Sequence, residues 1–162
     1  MNDRKTIRIA GIVRESIVDG PGLRFAVFAQ GCPHHCRGCH NEGTHDFNGG
    51  YDCGLTRILE EIDKNPLLSG VTFTGGEPFC QPGAFYELGV EIKARGLDIV
   101  AFSGYTLEEL QKKAETEADV RHLLGIVDYL VDGPFILEER DLTLQFRGSR
   151  NQKFITMAEI RK

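Results

Sequence analysis

The sequence predicts an α/β fold, a partial (β/α) barrel or curved, mostly parallel sheet with flanking helices, formed by one domain over residues 1–162. Strand, loop and helix patterns alternate along the chain, which is the arrangement of a parallel sheet with helical crossovers. The strand runs are apolar on both faces, as in strands buried on both sides. At 162 residues the chain is too short for a complete eight-fold barrel, which takes about 250 residues.

The first apolar run, Ile7 to Val13, reads as a strand and leads into the polar turn RESIVDGPGLR, where Gly20-Pro21-Gly22 enforces a tight path. A second strand is expected over Arg24 to Ala29, RFAVFA. The polar passage NEGTHDFNGGYDCG has no periodicity and reads as loop. Leu55, Ile58, Leu59 and Ile62 then fall at helical spacing, and Pro66 closes that helix. Val71 to Thr74 is a short strand ending in GGEP, and Ala84 to Arg95 a helix stopped by Gly96. Asp98 to Phe102 is the next strand, ending in SGYT. Thr106 and Glu109 form a capping box for LEELQKKAE, and Val120 to Leu124 adds a helical turn or two. Ile126 to Val131 reads as a strand ending in Asp132-Gly133-Pro134, and KFITM as the last strand.

Composition excludes several classes. The apolar fraction of 41% and charged fraction of 27% are those of an ordinary globular protein. No apolar run approaches the roughly 18 residues of a membrane span, and the start MNDRKTIR lacks a signal-peptide core, so no membrane association and a cytoplasmic location are expected. A net charge of -5 without a dense Lys/Arg block argues against nucleic acid as a partner. Five cysteines in a reducing compartment point to metal or redox chemistry, not to a disulfide framework.

Three of them, Cys32, Cys36 and Cys39, fall within CPHHCRGCH at the end of the second strand. A helix cannot bring three sulfurs to one point at that spacing without distortion, so a loop wrapped around a metal group is expected. Three thiolates suit three corners of a [4Fe–4S] cluster whose fourth iron has no protein ligand. A zinc knuckle built from Cys36, Cys39, His45 and Cys53 is the rival reading, and it would make the chain a non-catalytic interaction protein. In α/β folds, ligands gather beyond the C-terminal ends of strands. The cysteine loop, GGEP, SGYT and VDGP all fall there.

GCPHHCRGCH resembles the Cys-x3-Cys-x2-Cys signature of the radical S-adenosylmethionine (radical SAM) enzymes. The resemblance implies a [4Fe–4S] cluster on Cys32, Cys36 and Cys39, with S-adenosylmethionine chelating the open iron and cleaved reductively to methionine and a 5′-deoxyadenosyl radical. It further implies that Gly38, Cys39 and His40 line the ligand around the cluster, and that Gly75, Gly76 and Glu77 of GGEP receive its methionine end. Ser103 is a candidate for the nucleoside half, as is Tyr105. SIVDGPGLRF, CHNEGTHDFNGG, SGYTLEEL, VDGPF and RGSRNQ narrow the similarity to the glycyl-radical enzyme activases, in the branch serving anaerobic ribonucleoside-triphosphate reductase. That branch implies the reductase large subunit as partner, hydrogen abstraction from a glycine Cα, and a flavodoxin or ferredoxin as electron donor. An activase of another glycyl-radical enzyme, such as a formate lyase, is the alternative in the same class. No acid/base pair is needed for homolytic hydrogen abstraction.

Other polar residues carry two readings each. His34 and His35 could tune the cluster or be solvated loop residues. Asp19 and Asp132 could face the site or serve turns. Cys80 is expected to be a small buried side chain and Cys53 a loop residue. Arg147, Arg150 and Asn151 could bind the partner, bind the ligand or anchor the last strand.

Overall fold

The computed structural model describes residues 5–34, 36 and 42–161. The strands are β1 (Thr6–Ser16), β2 (Arg24–Ala29), β3 (Tyr51–Gly54), β4 (Gly70–Gly75), β5 (Asp98–Phe102), β6 (Tyr129–Asp132) and β7 (Lys153–Thr156). The α-helices are α1 (Leu55–Asp63), α2 (Pro82–Ala94), α3 (Leu107–Ala114), α4 (Ala118–Ile126) and α5 (Met157–Ile160). The expected elements are present, most with shifted ends, and two were missed: β3, and the short α5, which takes Met157 from the expected last strand. β3, expected as loop, pairs antiparallel with β1 through Ile7↔Cys53 and its neighbours. Its four residues are too few to show a period, and the partner strand supplies the order that the local sequence lacks. The helix α4 extends to Ile126, so β6 begins at Tyr129, three residues later than expected.

The strands form one sheet in the order β3-β1-β2-β4-β5-β6-β7. Its centre, β2-β4-β5-β6, is parallel. Both flanks are antiparallel, with β1 on β2 and β7 on β6. The parallel centre fits the expected class, and the flanks make the sheet mixed.

Strand alternation assigns the two faces different work. Ile7 and Ile9, Phe25 and Val27, Val71 and Phe73, Ile99 and Ala101, and Leu130 join one buried cluster with the apolar stripes of α1 to α4. Phe73 and Phe85 pack there with ring centroids 4.8 Å apart. The intervening residues, among them Arg24, Phe28, Thr72, Thr74, Val100 and Phe102, point to the opposite face. The expectation of strands apolar on both sides therefore holds only in part.

On that second face the lower end is closed by a charge. Arg24 is fully buried. Its Nε donates to Thr72 Oγ1 at 2.8 Å, Nη1 to Pro21 O at 2.9 Å and Nη2 to Val71 O at 3.0 Å. Nη2 also pairs with Asp98 Oδ1 at 2.6 Å. The Thr72 hydroxyl in turn donates to Asp19 O at 2.8 Å. The guanidinium thus nails the turn Asp19-Gly20-Pro21-Gly22 to β4 and β5. Gly20 has φ 137, and a Cβ there would overlap Arg24, so the turn needs its glycine as well as its arginine.

Removing this anchor has a calculable cost. Arg24→Ala should destabilise the fold by about 3 kcal/mol, the low end for breaking a buried pair because Asp98 is still partly in water. A calorimetric Tm should fall by roughly 6–12 °C for a chain of this size. A Tm within about 2 °C of the parent would contradict the anchoring role.

Candidate active site

A cavity of about 930 Å³ opens on the face opposite the helices. Phe28, Thr74 and Phe102 form its floor from the C-terminal halves of β2, β4 and β5, and Val13 with Glu15 to Asp19 forms one wall. Phe135, Phe146 and Arg147 form another. Cys32 and Cys36 both line this cavity, together with Gly75, Gly76, Ser103 and Gly104. Cys32 is buried and Cys36 half-buried. Cys39, Gly38 and His40, also expected at the site, lie outside the described residues, as does His35. Among the described residues no three metal-binding side chains converge. Two thiols, soft donors suited to iron–sulfur ligation, nevertheless open into a space beside a glycine-lined strand end, and this donor chemistry fits a cluster whose third ligand comes from the same short loop.

The two glycines of GGEP have a packing reason. Gly75 adopts φ 89, and a Cβ there would overlap the Ala29 backbone. One on Gly76 would overlap the Gly31 carbonyl. The Gly76 N–H donates to Ala29 O and the Glu77 N–H to Gly31 O, each at 2.8 Å. The β4 turn is therefore pressed against the residues that enter the cysteine loop, and the Cys32 N–H is held by His45 O at 3.1 Å. The close approach that glycine permits here is made to the chain's own backbone, while the same residues stay on the cavity wall.

Glu77 is fully buried. Its Oε1 accepts from His34 Nε2 at 2.6 Å, Gly104 N at 2.8 Å and Ser103 Oγ at 3.0 Å. Oε2 accepts from Phe79 N at 3.1 Å and Ser103 Oγ at 2.9 Å. Buried ions persist only when solvated in this way by fixed donors. His34, expected as either a tuning or a solvated residue, is 15% exposed in its side chain and stands edge-on to Tyr105 with centroids 4.5 Å apart. Sequence reasoning underrated it, because the partner lies 43 residues away.

Behind this group Lys113 Nζ sits 4.9 Å over the Tyr105 ring. Tyr105 is not among the residues lining the cavity, whereas Ser103 is. Burial, then the neighbouring Cys80 and Glu77, push the Tyr105 hydroxyl up to about 12. Cys80 is exposed, not buried as expected. It is the last residue of the short 3-10 helix Pro78–Cys80, which Glu77 caps at its start. Partial burial of its thiol, followed by the Glu77 charge, still raises it to about 11.

The remaining candidates separate by position. Asp132 is buried and accepts from Leu107 N at 2.9 Å and Lys153 N at 3.2 Å, so it ties α3 to β7. The Asp19 carboxylate accepts from Ser16 Oγ at 2.5 Å on the cavity rim. Asn151 Nδ2 donates to Pro134 O at 2.7 Å, and Gln152 Nε2 to Gly133 O at 3.0 Å. These bonds staple the segment 133–152 over one side of the cavity. Arg147 lines the cavity and Arg150 is exposed. Phe146, which the sequence did not single out, holds φ 59 on the cavity wall, its ring tilted against Phe154 with centroids 5.6 Å apart; a bulky residue there is strained.

Cys53 belongs to β3, not to a loop, and its side chain joins the apolar core. Cys36 and His45 line the cavity on the other face. A knuckle using all three would need the core opened, so the zinc reading fails. Cys53→Ala should leave iron content unchanged after anaerobic reconstitution; loss of iron in this variant alone would contradict the assignment. Cys80 should be slow to alkylate despite its exposure. A rise from 9.0 to about 11 lowers the thiolate fraction at pH 8 about a hundredfold. Iodoacetamide labelling of Cys80 as fast as a simple thiol would overturn that.

Residues 18–155 match the family model described as a 4Fe-4S single cluster domain. The chain is 33% identical over 149 residues to the anaerobic ribonucleoside-triphosphate reductase-activating protein of Vibrio cholerae, an alignment covering 84% of this chain and 89% of that protein. It is 32% identical over 126 residues to the pyruvate formate-lyase-activating enzyme of Clostridium pasteurianum, covering 72% of this chain and 53% of that one. The crystal structure of QueE from Escherichia coli shares the fold with a TM-score of 0.50 at 17% identity, covering 62% of this chain and 54% of that chain. With Cys32 and Cys36 lining the cavity beside the GGEP turn, the chain belongs to the radical S-adenosylmethionine iron–sulfur family, in the group of the anaerobic ribonucleoside-triphosphate reductase-activating proteins.

Proposed function

We propose that this chain activates anaerobic ribonucleoside-triphosphate reductase, acting as a single domain in the cytoplasm with a flavodoxin or ferredoxin as electron donor. The observation that carries the reading is the shared cavity of Cys32, Cys36, Gly75 and Gly76, in a chain aligned along most of its length with proteins named for that activation. No helix among the described residues is long and apolar enough to cross a membrane.

Cys32, Cys36 and Cys39 would hold the [4Fe–4S] cluster, and Gly75 and Gly76 would offer strand-end backbone to the methionine end of S-adenosylmethionine. When bound, the pair would supply one-electron reductive cleavage of the sulfonium, with the electron from the donor protein, and through it the abstraction of a hydrogen atom from a glycine Cα of the partner. The chain's own residues have three tasks. The floor of Phe28 and Phe102 with the wall of Phe135 and Phe146 keeps the space apolar, which protects a reactive carbon radical from side reactions. Exposed Ile17 and Val18 stand at the rim, where an incoming polypeptide would meet apolar surface. Ser103 lines the cavity with its hydroxyl donating to Glu77 and accepting from the Tyr105 N–H, which holds this part of the wall in place.

Anaerobic reconstitution with iron and sulfide, then dithionite and S-adenosylmethionine, should yield 5′-deoxyadenosine. Each of Cys32→Ala, Cys36→Ala and Cys39→Ala should abolish it. Product formation that survives any one of these changes contradicts the ligand set. With the reductase present, a glycyl-radical signal identifies the target; a signal on formate lyase instead would move the chain to the other activase group.

A further inference from the structure

Between Gly31 and the short 3-10 helix at Glu42–Thr44 the described residues contain no strand or helix. Its entrance is held by backbone, through Gly31 N–H to Thr44 O at 2.6 Å and Cys32 N–H to His45 O at 3.1 Å. His34 is the next fixed point, midway between Cys32 and Cys36. Its ring is restrained on three sides. Nε2 bonds to Glu77 at 2.6 Å, Tyr105 abuts it edge-on, and it lies so close to Gly104 that a Cβ there would overlap the imidazole.

We propose that His34 is a positioning residue, and that the buried Glu77 carboxylate acts through it to hold the cysteine loop against the ends of β4 and β5. This rests on the iron–sulfur reading above and deepens it. Glu77 receives donors from three segments: the turn after β4 through Phe79, the end of β5 through Ser103 and Gly104, and the cysteine loop through His34. The first two are already fixed by the sheet. His34 is the donor whose position the carboxylate determines. Its short, charge-assisted bond is of the stronger kind.

The acceptor sites of the carboxylate are occupied by these donors, about four for two oxygens. Glu77 therefore does not offer itself to a ligand ammonium, as the sequence reading allowed. That contact falls to backbone oxygens around Gly75 and Gly76. The bond from Nε2 to the carboxylate, with Tyr105 edge-on to the ring, fixes the orientation of the imidazole. Outer partners of this type typically alter metal retention by about 10- to 100-fold when removed.

The test compares His34→Ala, His34→Gln and the parent after anaerobic reconstitution, by iron release to a chelator and by the EPR spectrum of the reduced cluster before and after S-adenosylmethionine. His34→Ala should release iron about 10- to 100-fold faster and lose the ligand-induced spectral change. His34→Gln keeps an N–H donor toward Glu77 and should recover most of both. Wild-type iron release with an unchanged EPR response in His34→Ala overturns the proposal, and so does a glutamine variant no better than alanine. If His34→Ala fails to fold, the comparison of His34→Gln with the parent decides alone: near-parental behaviour supports the bond, and alanine-like loss refutes it. A parent that retains iron yet cleaves no S-adenosylmethionine would sink the proposed function while the chelator rates still judge His34.

Discussion

Glu77 has no contact with water, and its charge is tolerated only because donors from three parts of the chain converge on it. That requirement fixes how the cysteine loop, the β4 turn and the β5 end sit relative to one another. A buried carboxylate deprived of even one charge-assisted bond is left with an uncompensated desolvation cost. The arrangement is therefore all-or-nothing in a way that apolar packing is not. The cavity inherits its shape from it, since Cys32 and Gly76 are one or two residues from a participating group and Ser103 is one itself.

The sheet gives this junction its setting. Helices bury one face with side chains of alternate strand residues, and the other face is divided between Arg24 below and the cavity above. Parallel order in β2, β4, β5 and β6 delivers their C-terminal ends to one edge, which is why four separated motifs meet. Antiparallel β1 and β7 then carry the rim turn and the 133–152 segment to the two sides of the cavity. Two buried ionic anchors, Arg24 and Glu77, therefore do opposite jobs: one closes the sheet face, the other organises its open end.

Much of this was legible in the sequence where the signal is local. The strand β2, the helix α1 and the Thr106–Glu109 capping box follow from side-chain period and capping chemistry, and all three are present. The cysteine spacing singled out Cys32 and Cys36, which line the cavity, without needing the fold. What was illegible depended on distant partners. β3 exists because β1 pairs with it. Cys80 is exposed because of how the turn after Glu77 faces. His34 and Arg24 owe their roles to residues tens of positions away, at Glu77, Val71 and Thr72. Glycines in GGEP were read as room for a ligand, whereas the backbone of Gly31 already occupies part of that room.

The central claim is that three thiolates hold the cluster and leave one iron open toward the Gly75–Gly76 end of the cavity. Mössbauer spectroscopy of protein reconstituted with 57Fe addresses this directly. Adding S-adenosylmethionine should shift about a quarter of the iron signal, one site in a cluster of four, and leave the rest in place. A spectrum in which all the iron remains equivalent would contradict the account, because it would mean a cluster with no open site.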